Sequence, residues 1–181
     1  MQPLQWGAIL GASLTAAVWD VTDRRIPNVL TGALLLGGLV WATWVGKAWG
    51  LADSVVACLM LALPYVILFL FAGGGAGDAK LMGAIGAWTG VINGLVVLFA
   101  VAVAGIVLAV IHALVRRQVR ATAAGVGGFF LRLLYARGTF KVQTADKSAD
   151  NTTNPRNAMP YGLAILLGTA AAAVGLWIWR T

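Results

Sequence analysis

The sequence contains no glutamate, and it has only one cysteine and one histidine. A single cysteine excludes an internal disulfide and a zinc site built from several cysteines. The lone His112 stands in an apolar run, without the Cys, Glu or further His residues that would complete a set of metal ligands. We therefore expect neither a metal nor a cofactor. All the acidic residues are aspartates: Asp20, Asp23, Asp53, Asp78, Asp146 and Asp150.

Charged residues of either sign are scarce in this chain. They make up 10% of it, hydrophobic residues make up 60%, and the mean hydropathy is +0.87. This composition is typical of a membrane protein, and a chain of 181 residues can supply about six spans of roughly 20 residues. Polar or glycine-rich breaks place these spans at 4–19, 29–45, 54–72, 78–91, 94–115 and 161–179. We predict an all-α, polytopic membrane protein with a single domain over residues 1–181.

Basic residues indicate how the spans are oriented. With six spans, eleven of the 13 Lys and Arg residues fall on one side of the membrane, and only Lys47 and Arg180 fall on the other. Cytoplasmic loops of membrane proteins carry the excess of basic residues, so we predict that the eleven face the cytoplasm and that both termini lie outside. The same loops explain the basic excess. We therefore expect the lipid bilayer as a partner, and not nucleic acid.

The longest polar segment is 116–157, which contains eight of these basic residues. We predict that it forms a basic cytoplasmic loop. Within it, residues 129–135 are expected to form a short amphipathic helix on the membrane surface.

Two aspartates stand at the ends of apolar runs, where an ionised carboxylate is costly and suggests a function. Asp20 closes the first predicted span and Asp78 opens the fourth, so the predicted topology places both at the cytoplasmic face. An aspartyl protease uses two carboxylates that share one proton and activate a water molecule. The structural alternatives are a solvated polar connector around Asp20 and a helix cap at Asp78. Asp23 is expected to be solvated.

The residues around each aspartate form a short pattern. Asp20 is followed seven positions later by Pro27 and then by Asn28, and Asp78 lies within a Gly75-x-Gly77-Asp78-x-Lys80 motif. Glycines at this place would let the backbone approach a substrate strand closely. A basic residue such as Lys80 would contact lipid phosphate or balance the charge of the site.

These two motifs resemble those of the type IV prepilin peptidase family, the GxGD aspartyl peptidases. Pro160-Tyr161-Gly162 is similar to the Pro-Phe-Gly segment that precedes the last span in that family. The resemblance implies that Asp20 and Asp78 are catalytic, and that the substrate is a prepilin or pseudopilin with a basic leader peptide. It also implies supporting or substrate-binding roles for Gly75, Gly77, Lys80, Pro27 and Asn28.

One departure from the family pattern indicates which kind of member this chain resembles. Bifunctional members carry paired CxxC motifs in an N-terminal insertion and also methylate the new N-terminus, whereas this chain begins with the first span and has one cysteine. It looks like the short, peptidase-only members that serve tight-adherence (Flp-type) pili, and we expect no methyltransferase activity. Archaeal preflagellin peptidases are similar too. For a bacterial member the resemblance implies the inner membrane, with the active site at the cytoplasmic face.

Two other functions compete with a peptidase. A small transporter or channel could use Asp20 and Asp78 as proton or cation sites. Such a protein would be expected to place its carboxylates near the middle of the bilayer, whereas these two are predicted at one face. The third hypothesis is a non-catalytic assembly protein of a secretion system in which the motif has lost its function. The sequence leaves the oligomeric state open.

Overall fold

The described part of the protein is helical. The computed structural model describes residues 2–23, 25–72, 75–115 and 161–179, and within these ranges it contains helices and no strand. The helices are α1 (Pro3–Thr22), α2 (Asn28–Ala72), α3 (Ala76–Val115) and α4 (Gly162–Ile178). The predicted all-α class is confirmed. The predicted loop 116–157 and its helix at 129–135 lie outside the described residues.

Helices α2 and α3 each consist of two helices joined at a kink. The kink in α2 is at Lys47, where φ is 50° and ψ is −137°, and the kink in α3 is at Gly90, where φ is 71°. Lys47 falls in the predicted break between 45 and 54, and Gly90 lies two residues before the predicted break at 92–93. Residues 46–53 were expected to form a loop, but they are helical except at Lys47. One residue with a left-handed φ is enough to break the helix here. Gly50, three positions later, has no side chain to collide with the carbonyl oxygen of Ala42.

The surface and the length of the helices indicate a membrane protein. Asn28–Leu70 and Ala76–His112 are long and apolar enough to cross a bilayer, and Gly162–Ile178 is a shorter apolar helix. Large apolar side chains are widely exposed, among them Val29 at 83% and Phe99 at 73%. Water would penalise such a surface, whereas lipid would not. The division into six spans and the outward termini remain predictions.

Small residues allow the helices to approach one another closely. The main packing is between α2 and α3, followed by α4 against α3 and against α1. Gly86 lies against the backbone of Ala57, where an added Cβ would be 2.6 Å from the carbonyl oxygen. Gly168 of α4 lies directly against the backbone of Val101. Close backbone contact over small residues is a common way for helices to associate in lipid.

Trp88 joins three helices at one end of the bundle. Its indole Nε1 donates to the carbonyl oxygen of Leu34 in α2 at 2.7 Å, and its own carbonyl accepts from Gln5 Nε2 in α1 at 3.1 Å. Its ring stacks on Trp41 with the ring centroids 6.2 Å apart. Gln5 and Asp20 stand at opposite ends of α1, and Trp88 and Asp78 at opposite ends of the first half of α3. The contacts of Trp88 therefore hold α1, α2 and α3 together at the end of the bundle away from the aspartates.

Candidate functional site

Asp20 lies in the last turn of α1. The helix continues three residues beyond the predicted span because the Asp23 N–H donates to the Trp19 carbonyl at 2.8 Å and extends the hydrogen-bond ladder. The Asp20 carboxylate is partly buried, and its Oδ2 accepts a hydrogen bond from the backbone N–H of Gly162 at 2.7 Å. Gly162 is the first residue of α4, so the Asp20 carboxylate lies at the N-terminus of α4, the positive end of that helix dipole.

Asp78 lies in the first turn of α3, two residues after the helix begins at Ala76. Its backbone N–H donates to the Gly75 carbonyl at 3.2 Å, which closes a tight turn before the helix. An added Cβ on Gly75 would be only 2.7 Å from Asp78 Oδ2. Glycine therefore leaves room for this carboxylate at the start of the helix.

The structure brings the two carboxylates together. Asp20 and Asp78 come from different helices, and they lie close enough to interact electrostatically. Tyr65 of α2 and Tyr161, immediately before α4, are also within electrostatic range of Asp78. The two tyrosine rings meet edge to face with their centroids 5.9 Å apart. The site therefore combines residues from α1, α2 and α3 with the start of α4.

Two of the predicted supporting residues contact each other, and the others support the turns that follow or precede the aspartates. Lys80 Nζ donates to Asn28 Oδ1 at 2.9 Å, which ties the start of α3 to the start of α2. Gly77 faces Ile26 in the connector after α1, and an added Cβ would be 3.1 Å from the Ile26 Cβ. The carbonyl oxygen of Pro27 accepts from the Thr31 N–H at 3.3 Å and so supports the first turn of α2.

A groove of about 380 Å³ runs between the two halves of α2 and the first turns of α3. Its walls are mostly apolar and small, with polar groups at one end. The lining residues are Asn28, Thr31, Gly32, Leu35, Cys58, Ala62, Val66, Ala79, Lys80, Gly83 and Ala84.

The sequence profile of the type IV leader peptidase family matches residues 8–110, which is more than half of the chain. The chain belongs to the type IV leader peptidase family. No match was found among curated proteins or among solved structures. The matched range of this leader peptidase contains both aspartates and every predicted supporting residue, whereas Tyr161 and Gly162 lie beyond it. Family membership makes the chain a peptidase, with a leader-bearing protein of the prepilin type as its general substrate.

A metal site is not found in the described part of this leader peptidase. Within residues 2–23, 25–72, 75–115 and 161–179, no three His, Cys, Asp or Glu side chains are grouped as a metal ion would require. His112 lies in the last turn of α3. The groups that the structure describes at the site are the Asp20 and Asp78 carboxylates, the Tyr65 and Tyr161 side chains and the backbone N–H of Gly162.

Sequence reasoning did not include Tyr65, Tyr161 and Gly162 among the candidate site residues. In the sequence, the Pro160-Tyr161-Gly162 segment is distinguished only by its likeness to a family motif. Its contact with Asp20 spans 142 positions of the chain, so no local pattern could reveal it. Tyr65 carries a hydroxyl into an apolar run. A buried tyrosine hydroxyl usually requires a polar partner, and this is the signal that could have identified it.

Proposed function

We propose that this leader peptidase is an aspartyl endopeptidase in which Asp20 and Asp78 form the catalytic pair. The observation that carries the proposal is that these two carboxylates, 58 positions apart in sequence, lie within electrostatic range of each other at one end of the helix bundle. Asp20 accepts a hydrogen bond from the Gly162 N–H, and the absence of a side chain at Gly75 leaves room for the Asp78 carboxylate. Two carboxylates close together share one proton, which gives the pair a base and an acid at the same time.

The proposed reaction uses both protonation states of the pair. The ionised carboxylate takes a proton from a water molecule, and the oxygen of that water attacks the carbonyl carbon of the scissile peptide bond. The protonated carboxylate donates its proton to the carbonyl oxygen, which gives a tetrahedral intermediate. When the intermediate collapses, the C–N bond breaks and the leaving amine takes the proton that the first carboxylate removed from water. A hydroxyl of the intermediate returns its proton to the second carboxylate as the new carboxyl group forms, which restores the starting state of the pair. The reaction needs a base and an acid at the same time, so both members are needed for every turnover.

The substrate in this proposal is a prepilin or pseudopilin whose basic leader is removed at the cytoplasmic face of the inner membrane. The segregation of eleven basic residues from Lys47 and Arg180 supports this orientation, with six spans and both termini outside. The supporting roles of Lys80 and Asn28 rest on their mutual hydrogen bond beside Asp78. Flp-type prepilins as substrates, and the lack of N-methylation, rest on the resemblance to short family members.

The direct test is a cleavage assay with the purified full-length protein in detergent. The probe is a synthetic prepilin segment that carries a basic leader followed by an apolar stretch, and mass spectrometry identifies the products. We expect a single cut after the leader, no methyl group on the new N-terminus, and no effect of a chelator. Loss of cleavage in chelator that is restored by zinc would contradict the carboxylate mechanism. If no cut occurs and reconstituted vesicles show a proton or cation flux that depends on Asp20 and Asp78, the transporter hypothesis replaces this one.

A further inference from the structure

The start of α4 is fixed against three other helices. The Gly162 N–H donates to Asp20 Oδ2 in α1 at 2.7 Å. The ring of Tyr161 meets the ring of Tyr65 in α2, and its hydroxyl lies against Gly105 in α3, where an added Cβ would be 2.6 Å away. The Tyr161 carbonyl accepts from the Ile165 N–H at 3.2 Å, so Tyr161 and Gly162 both belong to the first turn of α4.

Gly162 is also a position where a side chain has no room. An added Cβ would lie 3.0 Å from both the Cβ and Oδ2 of Asp20, and 3.2 Å from the Cα of Ala17. The Ala17 contact is with backbone inside α1, which cannot rotate away. The strain would therefore be relieved by moving the Asp20 carboxylate or by shifting the start of α4 away from it. Either movement lengthens the hydrogen bond.

We propose that Tyr161 and Gly162 together position Asp20. The backbone N–H of Gly162 orients the carboxylate, and the ring of Tyr161 holds that N–H in place. The inference rests on the proposed function, because it assigns these residues to the catalytic pair. Neither residue takes part in bond making. Their effect reaches the substrate through the orientation of Asp20, and small displacements of a catalytic group cost large factors in rate.

The kinetic test compares Gly162→Ala with Gly175→Ala in the same helix, where an added Cβ meets no atom within 4 Å. We expect Gly162→Ala to lower kcat by about 10- to 100-fold with KM nearly unchanged, and Gly175→Ala to behave like wild type. Tyr161→Ala, which removes the ring contact with Tyr65, is expected to lower kcat in the same way. A wild-type kcat in Gly162→Ala, or a loss confined to KM, would overturn the inference while leaving the proposed function standing.

A second measurement tests the contact without relying on cleavage. In protein labelled with ¹⁵N-glycine in detergent micelles, the Gly162 amide resonance should shift in Asp20→Asn, because the acceptor loses its charge. The Gly175 resonance should stay in place. If the Gly162 resonance does not respond, the hydrogen bond is absent and the inference fails. If wild type cleaves no substrate, the proposed function fails, and the amide shift still decides whether Gly162 holds Asp20.

Discussion

An added Cβ on Gly75 would lie 2.7 Å from Oδ2 of Asp78, closer than real Cβ contacts come. The atom it meets is the end of a flexible side chain, so the fold could absorb an alanine at this place by rotating the carboxylate. That carboxylate is the group the proposed mechanism needs in one orientation. The room that this carboxylate needs therefore explains why the first position of the GxGD motif is a glycine.

We predict that Gly75→Ala folds normally and loses at least about tenfold in kcat, because Asp78 is turned away from the water it must act on. The matched control is Gly11→Ala in α1, where an added Cβ meets nothing within 4 Å. The measurement is the cleavage rate alongside the thermal unfolding midpoint in detergent. Full activity in Gly75→Ala would show that this space is not needed.

The hydrogen bond between Lys80 and Asn28 provides a second test. If the contact serves the site by tying α3 to α2, then Lys80→Ala and Asn28→Ala should lower activity by similar factors of about 2 to 10, and the double variant should be no worse than either. A double-mutant cycle of kcat/KM measures this coupling. Effects that multiply in the double variant would show that the two residues act independently.

Asp53 is an acidic residue with a structural explanation. Its Oδ1 accepts from the Val91 N–H at 3.3 Å, directly after the kink at Gly90, and so caps the second half of α3. We predict that Asp53→Ala destabilises the protein by about 0.5–2 kcal/mol and that Asp53→Asn recovers most of the loss, because asparagine caps helices equally well. Thermal unfolding in detergent measures the difference. A loss of kcat in both variants at unchanged stability would instead give Asp53 a role in catalysis.

Much of this fold could be predicted because hydropathy determines where helices lie in a membrane protein. The apolar runs predicted the helices, and the glycines and polar residues between them predicted the regions of the breaks at Lys47 and Gly90. The helix ends were less accurate. Asp20 was placed at the end of a span, yet it lies inside α1, because hydropathy does not register hydrogen bonds such as Asp23 N–H to Trp19 O.

The candidate site was only partly predictable for a related reason. Asp20 and Asp78 stand out because carboxylates are rare at the ends of apolar runs, and their motifs resemble those of a known family. Gly162 carries no side chain and contributes only its backbone N–H. Tyr161 becomes part of the site because its ring meets Tyr65 of α2 and its hydroxyl lies against Gly105 of α3. Such contacts depend on tertiary packing, and the sequence alone does not contain a local pattern for them.

The proposed topology can be tested by labelling engineered cysteines. In a Cys58→Ser background, which removes the only native cysteine, we expect Thr22→Cys and Ala76→Cys to react from the cytoplasm and Ala48→Cys to react from outside. All three native positions are exposed in the structure. The physical reason is the uneven distribution of Lys and Arg. Labelling of positions 22 and 76 from opposite faces would separate the two aspartates and contradict the proposed mechanism.

The central claim is that Asp20 and Asp78 act as one catalytic pair, and the most direct measurement is single-turnover cleavage by Asp20→Asn, Asp78→Asn and Asp23→Asn. The amide keeps the volume of the side chain and removes the group that ionises. The account predicts that Asp20→Asn and Asp78→Asn are each inactive while inserted and folded, and that the double variant is no worse. The exposed Asp23 serves as the control, and Asp23→Asn should remain active. Substantial cleavage by either Asp20→Asn or Asp78→Asn would contradict the account.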